Sequence, residues 1–381
     1  MWPDRRLLDL FGIEHPIVLA PMAAAMDTDL AIAVAQAGGL GSLPVAMLDE
    51  QKMRAQMAAF RAATDRPVNL NFFAHKPPKL NNAREHAWRE KLKPYYAEFG
   101  IDPAAPVPSS NRTPFDAALC AAVEELKPEV VSFHYGLPAA SLVQRVKAVG
   151  CKVMSSATTV AEARWLENHG CDAVIAQGYE AGGHRGMFLT DNLATQVGTF
   201  ALVPQISDAI KIPVIAAGGI TDARGIAAAL ALGAAGAQLG TAFLFCPEAK
   251  ILPPHRAALK SARDDGTVLT NVMTGRPARG LINRVMRELG PISEIAPEFP
   301  LAAGALAPLH AKAQAQGSGD FSSMWAGQAA ALGTEMPARE LTMRLAYEAQ
   351  ALMRRMAGEK RAGCRPESGS AIATLQPIDW F

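Results

Sequence analysis

Short apolar runs bounded by turn residues recur along the first two thirds of the chain. Between most of them lies an alanine-rich segment with helical periodicity, as at 29–37, 160–169 and 222–232. Several runs begin about 21 to 28 residues apart, which is the length of a strand, a crossover helix and two loops. The pattern therefore predicts eight parallel strands, at 17–20, 40–43, 68–71, 130–133, 152–155, 173–176, 214–217 and 237–239.

Eight such units in succession favour a closed barrel over an open doubly wound sheet. The longer intervals 71–130 and 176–214 predict loop insertions at the mouth of the barrel, and after Cys246 the rhythm gives way to helical pieces. The expected fold class is α/β, a (β/α)8 TIM-type barrel with an appended helical C-terminal region. Its expected segments are the barrel (1–246), a helical appendage near the active-site mouth (247–320), and a stretch that returns to the barrel and ends in a helix and tail (321–381).

Composition narrows the class of partner and compartment. The chain has 37 Lys+Arg and 36 Asp+Glu residues, so its net charge is +1. This near-neutral balance argues against nucleic-acid binding. The five cysteines form no Cys-x-x-Cys pair, which argues against a disulfide framework and a zinc site. Residues 1–9 lack the features of a secretory signal, and the uncharged run 225–245 is divided by glycines at turn spacing, so it predicts helix, turn and strand rather than a membrane span. We expect a cytoplasmic protein.

Glycine pairs follow the last two predicted strands. Active sites of such barrels gather at the carboxyl ends of the strands, and turns after the seventh and eighth strands commonly bind phosphate through backbone N–H groups. Gly218-Gly219 and Gly240-Thr241 fit this arrangement, although each pair alone also fits a tight turn without a ligand. Gly38-Gly39 precedes a strand and is expected only to end a helix.

A histidine lies in the glycine-rich loop 182–186, just after the sixth predicted strand. An imidazole exchanges a proton near neutral pH, so His184 is the predicted catalytic base, with a backbone-capping histidine as the alternative. His75 and His134 also follow strands and are weaker candidates to face the site, whereas a structural or solvated role is expected for His15, His169, His255 and His310.

Common catalytic patterns do not occur in the chain. No nucleophile elbow, Walker loop or His-Glu-x-x-His motif is present, and Cys151 and Cys171 precede strands, on the face of the barrel opposite to the site. What remains is a phosphate anchor, a lone base and an apolar mouth containing Met22, Met26, Phe72 and Phe73. This combination favours a phosphorylated aromatic cofactor.

From about residue 16 to 247, the chain resembles the FMN-dependent nitronate monooxygenases, formerly called 2-nitropropane dioxygenases. The resemblance is carried by 16–22, 71–73, 170–186, 216–220 and 238–242, and a later piece, 320–328, extends it. The block that contains His184 is the most specific, whereas a Gly-Gly-Ile element is common to many flavin barrels.

The resemblance implies FMN across the top of the barrel, with His184 beside the flavin as the base. It assigns Met22, Asn71, Gln177 and Gly182 to the ring and ribityl chain, and Gly219 with 238–241 to the phosphate. The implied cofactor set also includes Ala20, Pro21, Gly183, Gly218, Gln238, Leu239, Gly240 and Thr241, and the implied substrate pocket consists of Met26, Phe73 and His134.

The implied reaction is oxidation of alkyl nitronates by dioxygen to a carbonyl compound and nitrite, with prior deprotonation of a neutral nitroalkane. The expected partners are therefore a small nitronate and O2, without a metal, nucleic acid or membrane, and a homodimer is a candidate assembly. Two alternatives stay open: an FMN-dependent NAD(P)H oxidoreductase of the enoyl-acyl-carrier-protein reductase or quinone reductase type, and a phosphate-binding barrel without redox chemistry. An inosine-monophosphate-type dehydrogenase would need a loop cysteine, and none of the five cysteines lies in such a loop.

Overall fold

The computed structural model describes residues 2–104, 106–108 and 112–358. Eight parallel strands form one sheet, and a bridge between Val18 and Leu40 joins its first strand to its last. The prediction of a closed (β/α)8 barrel is confirmed, and all eight predicted strands are present. The barrel strands are β1 (Ile17–Leu19), β2 (Gly41–Pro44), β3 (Val68–Phe73), β4 (Val130–His134), β5 (Lys152–Ala157), β6 (Ala173–Gln177), β8 (Val214–Ala217) and β9 (Gly236–Leu239). A second, small sheet contains β7 (Gly183–His184), β10 (Thr267–Thr270) and β11 (Ala278–Leu281).

Aspartate residues begin several of the surrounding helices. The Asp27, Asp49, Asp116 and Asp222 carboxylates each accept a hydrogen bond from a backbone N–H of the first turn, which satisfies donors that the helix leaves open. The helices are α1 (Arg6–Phe11), α2 (Thr28–Gln36), α3 (Glu50–Ala63), α4 (Asn82–Glu98), α5 (Ala117–Leu126), α6 (Ala140–Ala148), α7 (Val160–Asn168), α8 (Thr199–Ala209), α9 (Ala223–Ala231), α10 (Thr241–Leu244), α11 (Pro253–Lys260), α12 (Arg284–Leu289), α13 (Ala302–Ala315) and α14 (Ala338–Met356).

The barrel strands run β1-β9-β8-β6-β5-β4-β3-β2 around the sheet. All six residues of β3 are buried, as are all residues of β6 and β8, because helices cover the outside and side chains fill the inside. At the amino-terminal end of the barrel strands, Leu7 of α1 approaches Gly236 at the start of β9. This contact helps to close the amino-terminal end of the barrel.

The last helix of the described chain belongs to the outer ring of the barrel. Helix α14 packs between α9 and α2, next to the seam where β9 meets β1. Its apolar stripe, which includes Leu341, Leu345 and Ala349, joins the main core. Residues 359–381, the expected tail, lie outside the described residues.

The two long intervals contain secondary structure that the sequence pattern did not predict. Helix α4 occupies 82–98 and packs on α13, where Trp88 Nε1 donates to the Ala302 carbonyl at 3.2 Å and the Tyr96 hydroxyl to the Ala305 carbonyl at 2.5 Å. The sequence predicted only a loop insertion here, because the four buried side chains of α4 are spread among charged residues. They form a core with residues distant in sequence, including those of α13. In the second interval, β7 pairs with β11 in a separate sheet with β10.

The uncharged run 225–245 consists of part of α9, a turn, β9 and α10, as predicted. Among the described helices, none is long and apolar enough to cross a membrane. The four cysteines in the described part of the chain are free and buried, and Cys364 lies outside it.

Candidate active site

A cavity of about 480 Å³ opens at the carboxyl ends of the barrel strands. All eight strands contribute a lining residue at or within two residues of their end; that of β2 is Ala46, in the short helical turn that follows it. Most of the lining is apolar, with a small number of polar groups, as is usual for a ligand site. The strand-end set is Met22, Ala46, Phe73, His134, Ser156, Gln177, Gly218, Gly219, Gly240 and Thr241.

The structure brings together most of the residues predicted for the site. His184, Phe73, His134 and twelve of the thirteen predicted cofactor residues line the cavity: Ala20, Pro21, Met22, Asn71, Gln177, Gly182, Gly183, Gly218, Gly219, Gln238, Gly240 and Thr241. Leu239 and Met26 do not line it. Both side chains are buried in the main core, that of Leu239 within β9 and that of Met26 just before α2.

Backbone crowding explains the glycines of the His184 loop. A Cβ on Gly182 would lie 2.6 Å from Gly327 N, and one on Gly186 would lie 2.8 Å from Ser156 Cβ. Gly183 has φ +73°, a left-handed conformation that glycine adopts without strain. The loop is therefore held closely against β5 and against the segment around Gly327.

The buried side chain of Arg185 also holds this loop in place. Its guanidinium is fully buried and donates to the Gly178 carbonyl at 2.6 Å, the Gln177 carbonyl at 2.8 Å and Gln196 Oε1 at 2.8 Å. Burial lowers the pKa of Arg185 to about 10, so the side chain stays charged at neutral pH. Two of these hydrogen bonds attach the loop to the end of β6, and the third attaches it to Gln196.

The backbone carbonyl of His184 accepts two hydrogen bonds from the barrel. Gln177 Nε2 donates to it at 2.9 Å, and His134 Nε2 lies 3.1 Å from it. Because a carbonyl only accepts, His134 carries its proton on Nε2, and its Nδ1 accepts from the Ser156 hydroxyl at 3.2 Å. Both nitrogens of His134 are thus committed to positioning the loop. The other end of the Gln177 amide is committed too, since its Oε1 accepts from Gly186 N at 2.7 Å.

The His184 ring lies in an aromatic enclosure at the cavity. Its centroid is 5.3 Å from that of Phe299, 5.4 Å from Trp325 and 6.3 Å from Tyr135. Burial lowers the pKa of His184 well below 6.5, and the positive charges of Arg112 and Arg276 lower it further. The imidazole is therefore neutral at neutral pH and has a lone pair with which to accept a proton.

The fixed charge among the described lining residues is positive. Among the described residues that line the cavity there is no Asp, Glu or Lys, while Arg112 is present. Behind the wall, the Arg276 guanidinium lies 4.1 Å from the centroid of the Tyr135 ring and donates to the Met187 carbonyl. The site consequently favours an anionic ligand.

The glycine turns after β8 and β9 leave backbone exposed to the cavity. Gly218 and Gly219 have φ of +109° and +70°, and a Cβ on Gly218 would lie 2.9 Å from Ala181 N. Gly240 caps α10, and Thr241 Oγ1 accepts from Gly327 N at 2.9 Å, which joins this turn to the segment that carries Trp325. Gln238 Oε1 is buried with no hydrogen-bond partner among the described atoms, so the cavity has an unused acceptor.

Several lining residues were not predicted from the sequence. His255 and His310 line the cavity, although only a structural or solvated role was expected for them from the sequence. Burial lowers the pKa of His255 to about 4, and its Nε2 donates to the Trp325 carbonyl at 3.1 Å. His310, like Arg112, comes from a segment outside the strand rhythm, so no local pattern marked it. His75 is buried in the neighbouring aromatic cluster with Phe73, Tyr135 and Phe299 but does not line the cavity.

Fold and site together define a class: a barrel enzyme that works on a ligand at the carboxyl ends of its strands, with one neutral imidazole at the mouth. A family model described as nitronate monooxygenase matches residues 4–348. A nitronate monooxygenase of Pseudomonas aeruginosa is 44% identical over 345 residues, which cover 90% of this chain and 98% of the relative. The chain belongs to the nitronate monooxygenase family, whose members are flavin-dependent.

Two solved structures share this fold over nearly the whole chain. The structure of nitroalkane oxidase from Streptomyces ansochromogenes superposes with a TM-score of 0.84 at 37% identity, covering 92% of this chain and 99% of that chain. FabK from Thermotoga maritima superposes with a TM-score of 0.73 at 31% identity, covering 94% of this chain and 99% of that chain.

Proposed function

We propose that the protein binds FMN in the cavity and oxidises alkyl nitronates with dioxygen to a carbonyl compound and nitrite. The observation that carries this proposal is the neutral imidazole of His184 in a cavity that is lined by no carboxylate among the described residues. Such a site both accepts a proton from a neutral nitroalkane and tolerates the anion that results. Membership of the nitronate monooxygenase family supports the same chemistry.

The residues present fit a flavin mononucleotide. The cavity of about 480 Å³ lies within the usual range for cofactor sites. The Gly218-Gly219 turn and the 238–241 segment would hold the phosphate through backbone N–H groups, and the unpaired Gln238 Oε1 would accept from an N–H or O–H of the cofactor. Met22, Asn71 and Gly182 line the same cavity and would contact the ring system. When bound, the flavin would supply one-electron chemistry between the nitronate and dioxygen.

The chain's own residues would prepare the substrate. For a neutral nitroalkane, the lone pair of His184 takes the α-proton, and the resulting imidazolium lies beside the new nitronate. Arg112, which lines the cavity, and Arg276 behind Tyr135 add positive potential that stabilises this anion. A preformed nitronate needs no base, so it uses the positive potential alone.

The substrate chain would extend toward α13. Phe73 and His134 flank the strand side of the cavity, as proposed from the family resemblance, whereas Met26 does not reach it. Ala303, Leu306, Ala307 and His310 form one stripe of α13 along the cavity, at helical positions i, i+3, i+4 and i+7. Two alanines in this stripe leave room for an apolar substituent.

Nitrite release tests the function directly. The purified protein should be yellow and should form nitrite aerobically from ethyl nitronate, propyl-1-nitronate and propionate 3-nitronate. A heat-treated sample and an anaerobic sample serve as controls. A colourless protein whose melting temperature does not rise with FMN would contradict flavin binding and favour a barrel without redox chemistry.

The second candidate, an FMN-dependent NAD(P)H oxidoreductase, is favoured by the structural likeness to FabK. Anaerobic mixing with NADH and with NADPH separates it from the first. Bleaching of the flavin on the millisecond to second scale by either nucleotide, without nitrite formation from nitronates, would replace the proposed reaction with this one.

A further inference from the structure

The His184 side chain has a polar partner, the hydroxyl of Thr274. Its Nε2 lies 2.9 Å from the Thr274 hydroxyl oxygen, and Thr274 is only 1% exposed. The rest of the ring is surrounded by Phe299, Trp325 and Tyr135. In this apolar enclosure, the threonine hydroxyl decides which ring nitrogen keeps a hydrogen bond.

The hydrogen-bond geometry gives that contact a direction. The Thr274 hydroxyl has one proton and a second neighbour, the Arg276 carbonyl at 3.5 Å, which can only accept. With the proton directed to Arg276, a lone pair of Thr274 faces Nε2, and that nitrogen must then carry the hydrogen. Because His184 is neutral, its Nδ1 is left with the free lone pair.

The backbone holds Thr274 rigidly in this place. Gly275, the next residue, has φ +91°, and a Cβ there would lie 2.0 Å from the Pro297 carbonyl oxygen. The Gly275 N–H donates to Asn271 at 2.7 Å, and three residues later Ala278 of β11 pairs with His184 itself. Thr274 thus lies in the turn between β10 and β11, and β11 pairs with β7, the strand that contains His184.

We propose that Thr274 is a positioning residue that holds His184 as the Nε2–H tautomer, so that Nδ1 is the atom that takes the substrate α-proton. Once the proton has moved, Nε2–H still donates to Thr274, which stabilises the cation in the enclosure. The use of Nδ1 as the base rests on the proposed function, but the tautomer itself does not. Two experiments separate these two parts.

The first experiment measures the tautomer. The holoenzyme is labelled with ¹⁵N-histidine, and the His184 signals are identified by their absence from His184→Asn. We expect Nε2 to appear as a protonated nitrogen and Nδ1 as a bare one at pH 7. The opposite pattern would overturn the proposal, whether or not the enzyme oxidises any nitro compound.

The second experiment compares Thr274→Val with Thr274→Ser, which keeps the hydroxyl. Loss of the hydroxyl should lower kcat/KM for neutral nitroethane by about tenfold to a hundredfold, because Nε2–H is left unsatisfied and the lone pair is misdirected. Turnover of preformed ethyl nitronate should stay within about threefold, and Thr274→Ser should restore nitroethane turnover to within about threefold of the parent. The Val variant should also show the His184 proton shifted from Nε2 in the labelled spectrum.

Thr270→Val is the matched control. Thr270 is fully buried in the same hairpin, but its hydroxyl donates to the Pro291 carbonyl at 2.8 Å, whereas that of Thr274 contacts His184. Thr270→Val should leave the ratio of nitroethane to nitronate turnover unchanged. An equal loss on both substrates in Thr274→Val, or no loss on either, would refute the positioning role. A parent protein that oxidises neither substrate would instead refute the proposed function and leave the tautomer measurement intact.

Discussion

Two histidines meet at the mouth of the barrel, and their hydrogen bonds give them different capacities. His134 uses both ring nitrogens to hold the loop, through the His184 carbonyl and the Ser156 hydroxyl. His184 uses one nitrogen, toward Thr274, and the proposed function assigns the other to the substrate. Position after a strand made both histidines candidates in the sequence, and only the partner atoms distinguish a base from a support.

Replacement of His184 by Asn tests the base at the scale of one residue. Asn keeps polarity but cannot accept the α-proton, so kcat/KM for neutral nitroethane should fall by about a hundredfold or more. Preformed ethyl nitronate should lose much less, and the flavin absorbance per protein should stay the same. Equal turnover of nitroethane by variant and parent would remove His184 from the mechanism.

The pH dependence of the same rate follows from the lowered pKa of His184. A group whose pKa is lowered stays neutral, and so competent as a base, until the pH falls below that pKa. We expect kcat/KM for nitroethane to stay nearly flat from about pH 7.5 to 5.5, where a histidine with the ordinary pKa near 6.5 would lose about tenfold. A decline with a midpoint near 6.5 would contradict the buried, neutral imidazole.

At the scale of elements, two structural features shape the cavity: the glycine turns after β8 and β9, and helix α13. The turns were visible in the sequence because glycine turns follow two successive strands, and this combination favours phosphate binding although each turn alone does not. A helical appendage near the mouth was also expected from the sequence, but the packing of α13 on α4 was not, because α4 lies more than 200 positions away in sequence, as the 214-position separation of Trp88 and Ala302 shows.

Gly219→Val tests the turn after β8. Gly219 has φ +70°, so a β-branched side chain both strains the turn and occupies the approach of the phosphate. We expect a clear loss of FMN during gel filtration and a higher Kd for FMN added back. Gly150→Val is the control, since Gly150 also has a positive φ of +95° but has no atom within 4 Å of a Cβ. Full flavin occupancy in Gly219→Val would place the anchor elsewhere.

Ala307→Trp tests the substrate stripe of α13. The indole would fill the space beside Leu306 and His310, so kcat/KM should fall about tenfold or more for a six-carbon nitronate and far less for ethyl nitronate. Ala311→Trp, at an exposed position of the same helix, should change neither rate. A uniform loss on both substrates in Ala307→Trp would argue against a chain-length role for α13.

At the scale of the whole molecule, buried histidines couple stability to acid. His75 is 5% exposed, and neither ring nitrogen has a hydrogen-bond partner among the described atoms. Burial, then the charges of Arg276 and Arg112, lowers its pKa to about 4. The unfolded chain, with a pKa near 6.5, therefore binds a proton that the folded state refuses, and stability falls as the pH drops from about 6.5 toward 4.

His75→Phe should reduce this acid sensitivity. Phe keeps the edge contacts with Phe73 and Phe299 and has no proton to bind, so the variant should unfold less readily than the parent at pH 5, by about 1 to 2 kcal/mol. Urea titrations of parent and variant at pH 7.5 and pH 5 measure the difference. An unchanged gap between the two pH values would show that His75 does not contribute to acid unfolding.

The chain by itself determined the barrel, the order of its strands and the ends at which chemistry occurs. Strand and helix periods, and glycines that must take positive φ, are local properties, so they are written in neighbouring residues. The same locality made His184 and the glycine turns after β8 and β9 candidates, and the family resemblance supplied the rest of the twelve cofactor-set residues that line the cavity. Leu239 and Met26 were expected at the cavity but are buried in the main core. Position near a strand end does not by itself fix which way a side chain points.

Only the tertiary structure decided what surrounds these residues. Arg112, His255 and the α13 stripe reach the cavity, and Thr274 reaches His184, from segments distant in sequence, and nothing in their neighbours marks them. The direction of the His184 pKa shift and the roles of the two histidines likewise depend on burial and on partner atoms from other elements. Proximity in space, which folding creates and local pattern does not encode, is the physical reason for this division.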